Sequence, residues 1–207
     1  MASIFLHHLA IFTIAAAAAA RPVLATRVPP GTQQGTYIVT LSPEGQEIHA
    51  RLPDINHDNA HVLPLPPPPP PPPPQSPRGA TAWPSHTAPL CSDSPWIGTY
   101  DLYHDNGARN AFSSQCAALA GARLGNGDKI YSHWGDAVAY MCSYAGSGGG
   151  GGGGGGNPCV VQEWVDAVDW AAASCAGRNG GYMECAYLSI PGWKKAYGYT
   201  HINTSFC

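Results

Sequence analysis

Residues 128–144 read DKIYSHWGDAVAYMCSY, two alternating runs on either side of Trp134-Gly135-Asp136. Alternation sends successive side chains to opposite faces of a strand, and a glycine between two such runs marks a hairpin turn. The second run sorts into two sets. Val138, Tyr140, Cys142 and Tyr144 share one face, and Ala137, Ala139 and Met141 share the other. The fold is read outward from this hairpin.

Helical periods flank it. In HDNGARNAFSSQCAALAGARLGNG (104–127), Ala108, Phe112, Cys116 and Leu119 recur at helical spacing, with Ala111 and Ala120 widening the stripe. The spacing predicts a helix over 107–123, capped by Asp105 or Asn106 and stopped by Gly125. Residues 157–181 read NPCVVQEWVDAVDWAAASCAGRNGG, the strongest helical signal in the chain. Asn157 suits the cap and Pro158 the first helical position. Val161, Trp164, Val165, Val168, Ala172 and Cys175 line one face, with Glu163, Asp166 and Asp169 off it. Trp170 lies opposite the stripe, where its ring is expected to cover a loop or stay partly exposed. Gly177 is the expected terminator. Two further alternating runs, GYMECAYLSI (181–190) and AYGYTHINTSF (196–206), close the chain. Residues 96–100 offer one more strand. The order of elements predicts an α+β fold: a disulfide-stapled sandwich with two helices packed on one face of an antiparallel sheet, preceded by a disordered Pro-rich arm.

Composition divides the rest. Residues 1–25 are apolar from Ile4 to Ala20 and end in small residues, as a secretory signal peptide does. The competing reading, a membrane anchor, has few flanking positive charges to support it. Residues 26–60 form a polar arm. Within it TYIVTL and QEIHARL flank Ser-Pro-Glu-Gly, which suggests a hairpin, although a lone hairpin is marginal in water and a disordered arm competes with it. Residues 61–90 are a Pro-rich linker, stiffened by the run from Pro66 to Pro74 and read as a spacer rather than a docking motif. Residues 91–207 are the expected globular domain, with a flexible glycine loop at 146–157. That loop lacks the Lys-Ser/Thr and following helix of a phosphate cradle.

All seven cysteines, Cys91, Cys116, Cys142, Cys159, Cys175, Cys185 and Cys207, fall in the last part. An exported small domain uses cysteines as bridges, and no zinc-type spacing occurs here. Three bridges leave one thiol over. Cys91, at the linker's edge, is the expected odd one, and Cys207 the expected clamp on the closing strand. Asn203-Thr204-Ser205 is a glycosylation sequon. No metal or cofactor is expected, and no later segment is long and apolar enough to span a membrane.

Between Cys91 and Cys207, six basic side chains face nine acidic ones, which argues against nucleic acid or an anionic membrane as partner. Catalytic groupings can be assembled from Asp101, His104 and Asp105, from His133 and Asp136, or from Glu163 and Asp166. The ordinary reading is a solvated helix face for the acids and capping or surface roles for the histidines. No GxSxG elbow or HExxH helix occurs. Aromatics and a basic pair remain as binding candidates: Trp134, Trp193, Lys194, Lys195 and Tyr199, with Trp170 and Tyr197 nearby.

Ser114-Gln115-Cys116 on the first helix, Ala139-Tyr140-Met141-Cys142 on a strand, Ala173-Ser174-Cys175, Gly180-Gly181 and the terminal Cys207 give the last hundred or so residues a family likeness. They resemble the small secreted cysteine-rich effectors of fungi and the smut killer toxins. The resemblance covers 91–207. It implies an α/β sandwich with every cysteine paired, acting outside the producing cell as a toxin or effector. The glycine insert, the odd cysteine count and the proline spacer depart from the pattern. Killer toxins use basic residues to block a channel, and Lys194 and Lys195 are merely the nearest basic pair. The expected function is therefore a secreted, non-enzymatic effector or toxin-like protein that binds an extracellular protein or cell-wall glycan. The competing classes are a small secreted hydrolase of cell-wall carbohydrate and a structural cell-wall protein.

Overall fold

The computed structural model describes residues 25–54, 81–144, 156–175, 178–179 and 181–207. The expected signal peptide up to Leu24, the proline run and residues 146–155 of the glycine loop lie outside the described residues. In chain order the elements are β1 (Gly35–Leu41), β2 (Glu47–Arg51), β3 (Ala88–Gly98), α1 (Thr99–Tyr103), α2 (Ala108–Ala118), β4 (Arg123–Leu124), β5 (Lys129–Trp134), β6 (Ala137–Ser143), β7 (Asn157–Pro158), α3 (Val161–Ser174), β8 (Arg178–Asn179), β9 (Tyr182–Ile190) and β10 (Lys195–His201).

The hairpin of 128–144 forms as β5 and β6, with Trp134 opposite Ala137. Its two-residue loop needs a positive φ, which Gly135 supplies at +54°. From there the sheet grows antiparallel in the order β2-β1-β5-β6-β10-β9-β3, with the short β8 also on β9. The chain is α+β, and its described helices are short compared with the sheet.

The two side-chain sets of β6 enter two cores. Ala137, Ala139 and Met141 pack with Phe112 and Cys116 of α2, Trp164 and Val168 of α3, and Leu188 and Tyr197 of the sheet. Val138, Tyr140 and Cys142 pack on the opposite face with Val28, Tyr37, Val39, Tyr131 and Phe206. Trp164 and Phe112 are fully buried against one another, ring centroids 4.4 Å apart. Burying a side chain of this size stabilises by about 2–3 kcal/mol.

Six expectations shift. The 36–52 hairpin does form, as β1 and β2, and β1 pairs with β5, so the sheet includes residues assigned to the arm. A lone hairpin is marginal, but this one gains a neighbouring strand and buries Tyr37 and Val39. The strand expected at 96–100 starts earlier, at Ala88, and ends at Gly98, so Thr99 and Tyr100 open α1. Helix α2 is shorter than 107–123: it ends at Ala118 with Leu119 at the C-cap, ahead of Gly125, and Gly107 takes the N-cap position in place of Asp105 or Asn106. Asn157 is not a helix cap. It lies in β7, and its amide donates to Lys194 O (2.8 Å) and Ser143 Oγ (3.2 Å), while Val160 caps α3. The last strand stops at His201, before the sequon.

The sixth concerns the cysteines. The bridges are Cys91–Cys175, Cys116–Cys159 and Cys142–Cys207, and the unpaired thiol is the buried Cys185, not Cys91. Cys91 is no linker residue, because β3 carries it opposite Ala186 and within 5.4 Å, Cα to Cα, of Cys175 at the end of α3. Cys185 instead donates its thiol to Pro95 O at 3.1 Å. Cys207 clamps the tail as expected. Beside it, Phe206 and Thr26 exchange two backbone hydrogen bonds of 2.8 Å, tying both ends of the described chain together. The bridges close loops of 84, 43 and 65 residues. In the chain-entropy picture each contributes about 4 kcal/mol. Among the described residues no helix is long and apolar enough to cross a membrane.

Candidate functional site

The sequence-derived candidates separate into buried braces and one exposed end. Lys195 is a brace: it is 3% exposed, its ammonium pairs with the Glu163 carboxylate, and it lies over the rings of Trp193 (4.9 Å) and Tyr197 (5.3 Å). Tyr197 Oη donates to the same carboxylate at 3.1 Å. Glu163 therefore does not sit on a solvated face, because β10 presents Lys195 to it. Asp166 is buried too, accepting from Thr81 N–H (2.8 Å) and the Gln162 amide (2.9 Å). Only Asp169 keeps an exposed acid's position, in a 3.2 Å ion pair with Arg109. Tyr199 is fully buried, which removes it as a surface binder. Lys194 is exposed, in a left-handed turn at φ +52°. Trp193 and Trp170 both pack against Trp83 of the lead-in segment, at 5.6 and 6.1 Å, so the Trp170 ring covers a loop. Asn203 is exposed in the turn after β10, where its N–H donates to His201 Nδ1.

Two groupings taken separately in the sequence meet in space. Helix α1 brings Asp101 and His104 to the β5–β6 turn, which carries Trp134 and Asp136. Asp136 N–H donates to Asp101 Oδ2 (3.2 Å), and Gly98 N–H donates to Asp136 Oδ1 (3.1 Å). The Asp101 carboxyl thus lies beside the Asp136 side chain. Burial first, then this neighbouring acid, lifts Asp136 above the usual carboxylate range, against the pull of Gly98 N–H and His201. His201 Nε2 stands 4.0 Å from Asp136 Oδ2. A Cβ at Gly135 would collide with the Asp101 carboxyl, so the turn glycine and the acid pair require each other.

Above the pair runs an aromatic ladder. Tyr100 is 72% exposed, yet its ring stacks on His104 with centroids 4.4 Å apart and planes 20° apart. His104 in turn meets Trp134 edge-on at 5.1 Å. His104 Nδ1 accepts from Asn106 N–H at 3.1 Å, which fixes the ring. Thr99 holds the start of α1 by donating from both N–H (2.8 Å) and Oγ1 (2.6 Å) to Gly181 O.

Trp134 and Asn106 then border a polar groove of about 410 Å³ between α2 and the β1–β2 hairpin. Arg51 lines it, donating to both Asp54 oxygens (3.0 and 3.2 Å), to Gln34 O (3.1 Å) and to Gln33 Oε1 (3.0 Å). Gln115 donates to Pro53 O at 2.8 Å. His133 borders the groove but is buried, with its ring stacked on Tyr37 and Nε2 bonded to Gln33 O. Burial holds its pKa below the ordinary value, although the Gln33 bond opposes this, so it is neutral at pH 7. Asp105 is exposed and sits in the turn between α1 and α2. A second cavity, of about 260 Å³, opens on the other sheet face among Tyr140, Tyr144, Tyr187, Phe206 and Cys185. Burial raises the pKa values of Tyr144 and of the Cys185 thiol, keeping both protonated.

Sequence reasoning missed Tyr100, Arg51, Asp54, Asn106 and Gln115. Sequence pattern places Tyr100 at the end of a strand and Arg51 in a polar arm, and neither position marks a binding group. The only local signal was the 36–52 alternation, which offered a hairpin but not its partner. No family model, curated protein or solved structure matches the chain. Among the described residues no cluster of His, Cys, Asp or Glu has a metal-holding arrangement.

Proposed function

We propose that this chain is a secreted, non-enzymatic effector or toxin-like protein that binds an extracellular target through the α1 end of the molecule. The three bridges suit an oxidising environment. The observation that carries the reading is the ladder Tyr100–His104–Trp134 leading into the polar groove. Large aromatics beside a concave polar surface are the ordinary make-up of a recognition site. In this reading the sheet, its two helices and the bridges form the α/β sandwich of the effector and toxin families, and the acid pair positions α1.

A labelled secreted protein tests it on living competitor or host cells. Tyr100→Ala is expected to abolish cell binding while leaving Tm within about 2 °C, as surface substitutions do, and Arg51→Ala to abolish it with some loss of Tm, because its bonds to Gln33, Gln34 and Asp54 go with it. Unchanged binding by both variants would contradict the reading.

The Asp101–Asp136 pair favours a second reading, a hydrolase of wall carbohydrate. Glycosidase carboxyls stand about 5 Å or more apart across a cleft. These two are held side by side, each accepts from a backbone N–H group, and they line neither cavity described above. Release of reducing sugar from wall polysaccharide, lost in Asp136→Asn, would establish the hydrolase instead.

A further inference from the structure

We propose that the α1 end binds an uncharged oligosaccharide, a chain of hexose units from a cell wall. This rests on the binding-protein reading above and names its ligand.

Tyr100 supplies the first argument. One face of its ring lies on His104, and the residue is 72% exposed. An aromatic already held in place loses little freedom on binding. A pyranose ring has an apolar C–H face that matches such a surface, together with a polar rim that does not. The groove supplies what the rim needs. Arg51 and Asp54 present donors and acceptors side by side, and their charges cancel, so the groove has no net preference for an anion or a cation. Vicinal hydroxyls can donate to the carboxylate and accept from the guanidinium. The amide of Asn106 adds one group that does both.

Length is the second argument. The ladder takes ring contacts of 4.4 and 5.1 Å to reach Trp134, where the groove begins. A ligand touching both Tyr100 and Arg51 is longer than one sugar ring. The groove's lining mixes apolar surface with the Arg51–Asp54 ion pair and the amides of Asn106 and Gln115, which suits a ligand that has both apolar ring faces and hydroxyls.

The full secreted chain is titrated calorimetrically with cellohexaose, chitohexaose, a β-1,3-glucan hexasaccharide and a galacturonate hexamer. Tyr100→Ala and Asn106→Ala report on the site, and Leu90→Ala, exposed on the distant β3 edge, serves as control. At least one neutral hexasaccharide is expected to bind, more tightly than its monosaccharide. Tyr100→Ala should weaken it by about tenfold, the size of one lost aromatic contact, and Leu90→Ala should leave it unchanged. Preference for the galacturonate hexamer, no binding of any neutral hexasaccharide, or binding indifferent to Tyr100→Ala each overturns the assignment. If target cells are still bound through Tyr100 in those cases, the binding-protein reading stands and the ligand is of another class. Cell binding that ignores Tyr100 removes both.

Discussion

Asp136 shows what a single proton does in this fold. Two carboxyls in contact do not both ionise readily, and burial adds to the resistance. Asp136 therefore has a higher pKa folded than unfolded, so the folded state holds more protons as pH rises above about 4. By linkage, its contribution to stability is greatest at low pH and falls as pH rises through the folded pKa. Asp136→Asn keeps an acceptor for Gly98 N–H and an N–H donor for Asp101 but carries no titrating charge. It should raise Tm relative to wild type at pH 7 and leave it unchanged near pH 3, measured by calorimetry across that range. Equal Tm shifts at both ends would show that the fold does not raise the pKa of Asp136. Glu47 works in the opposite direction. Burial pushes its pKa up, but the hydrogen bonds from Lys129 and Thr26 outweigh burial and hold it below the usual value. Its contribution is present at neutral pH and lost on acidification through that lowered pKa. None of this pairing was legible in the sequence, because Asp101 and Asp136 are 35 residues apart and joined only by the β6–β10–β9–β3 order of the sheet.

At the scale of elements, alternation and helical period were readable wherever one stretch buried its own face. The hairpin of 128–144 turns at Gly135, and its two side-chain sets enter the two cores as read. What was not readable was which polar residue a neighbouring element would cover. Glu163 looks solvated along α3 and becomes the partner of Lys195 only because β10 passes beneath. Breaking a buried ion pair from one side leaves an uncompensated charge, whereas replacing both members with apolar groups does not. Lys195→Met is therefore expected to cost about 3–5 kcal/mol, and the double variant Glu163→Leu with Lys195→Met markedly less. Urea unfolding of the three proteins checks this, and additive losses would contradict it. Likewise Cys91 stands at the linker's edge in the sequence, which suggests the odd thiol, and only the register of β3 on β9 brings it to Cys175.

For the whole molecule, the bridges Cys91–Cys175, Cys116–Cys159 and Cys142–Cys207 join the edge strand to α3, α2 to the start of α3, and the tail to β6. Replacing Cys142 and Cys207 together by serine should cost about 4 kcal/mol and free the tail from the Val28 core, whereas Cys185→Ala should cost less, since its thiol makes no bridge. Chemical unfolding separates the two cases, and peptide mapping should recover Cys185 as the reduced thiol. The braces hold a scaffold on which the β1–β2 hairpin places Arg51 in the groove and α1 places Tyr100 on the ladder that reaches the groove at Trp134. The most direct test of that arrangement is a backbone-amide NMR titration of the protein with cell-wall polysaccharide extract. Shifts concentrated at Tyr100, His104, Asn106, Trp134 and Arg51 are expected, while shifts confined to the Tyr140–Tyr187 face, or none at saturating extract, would contradict binding at the α1 end.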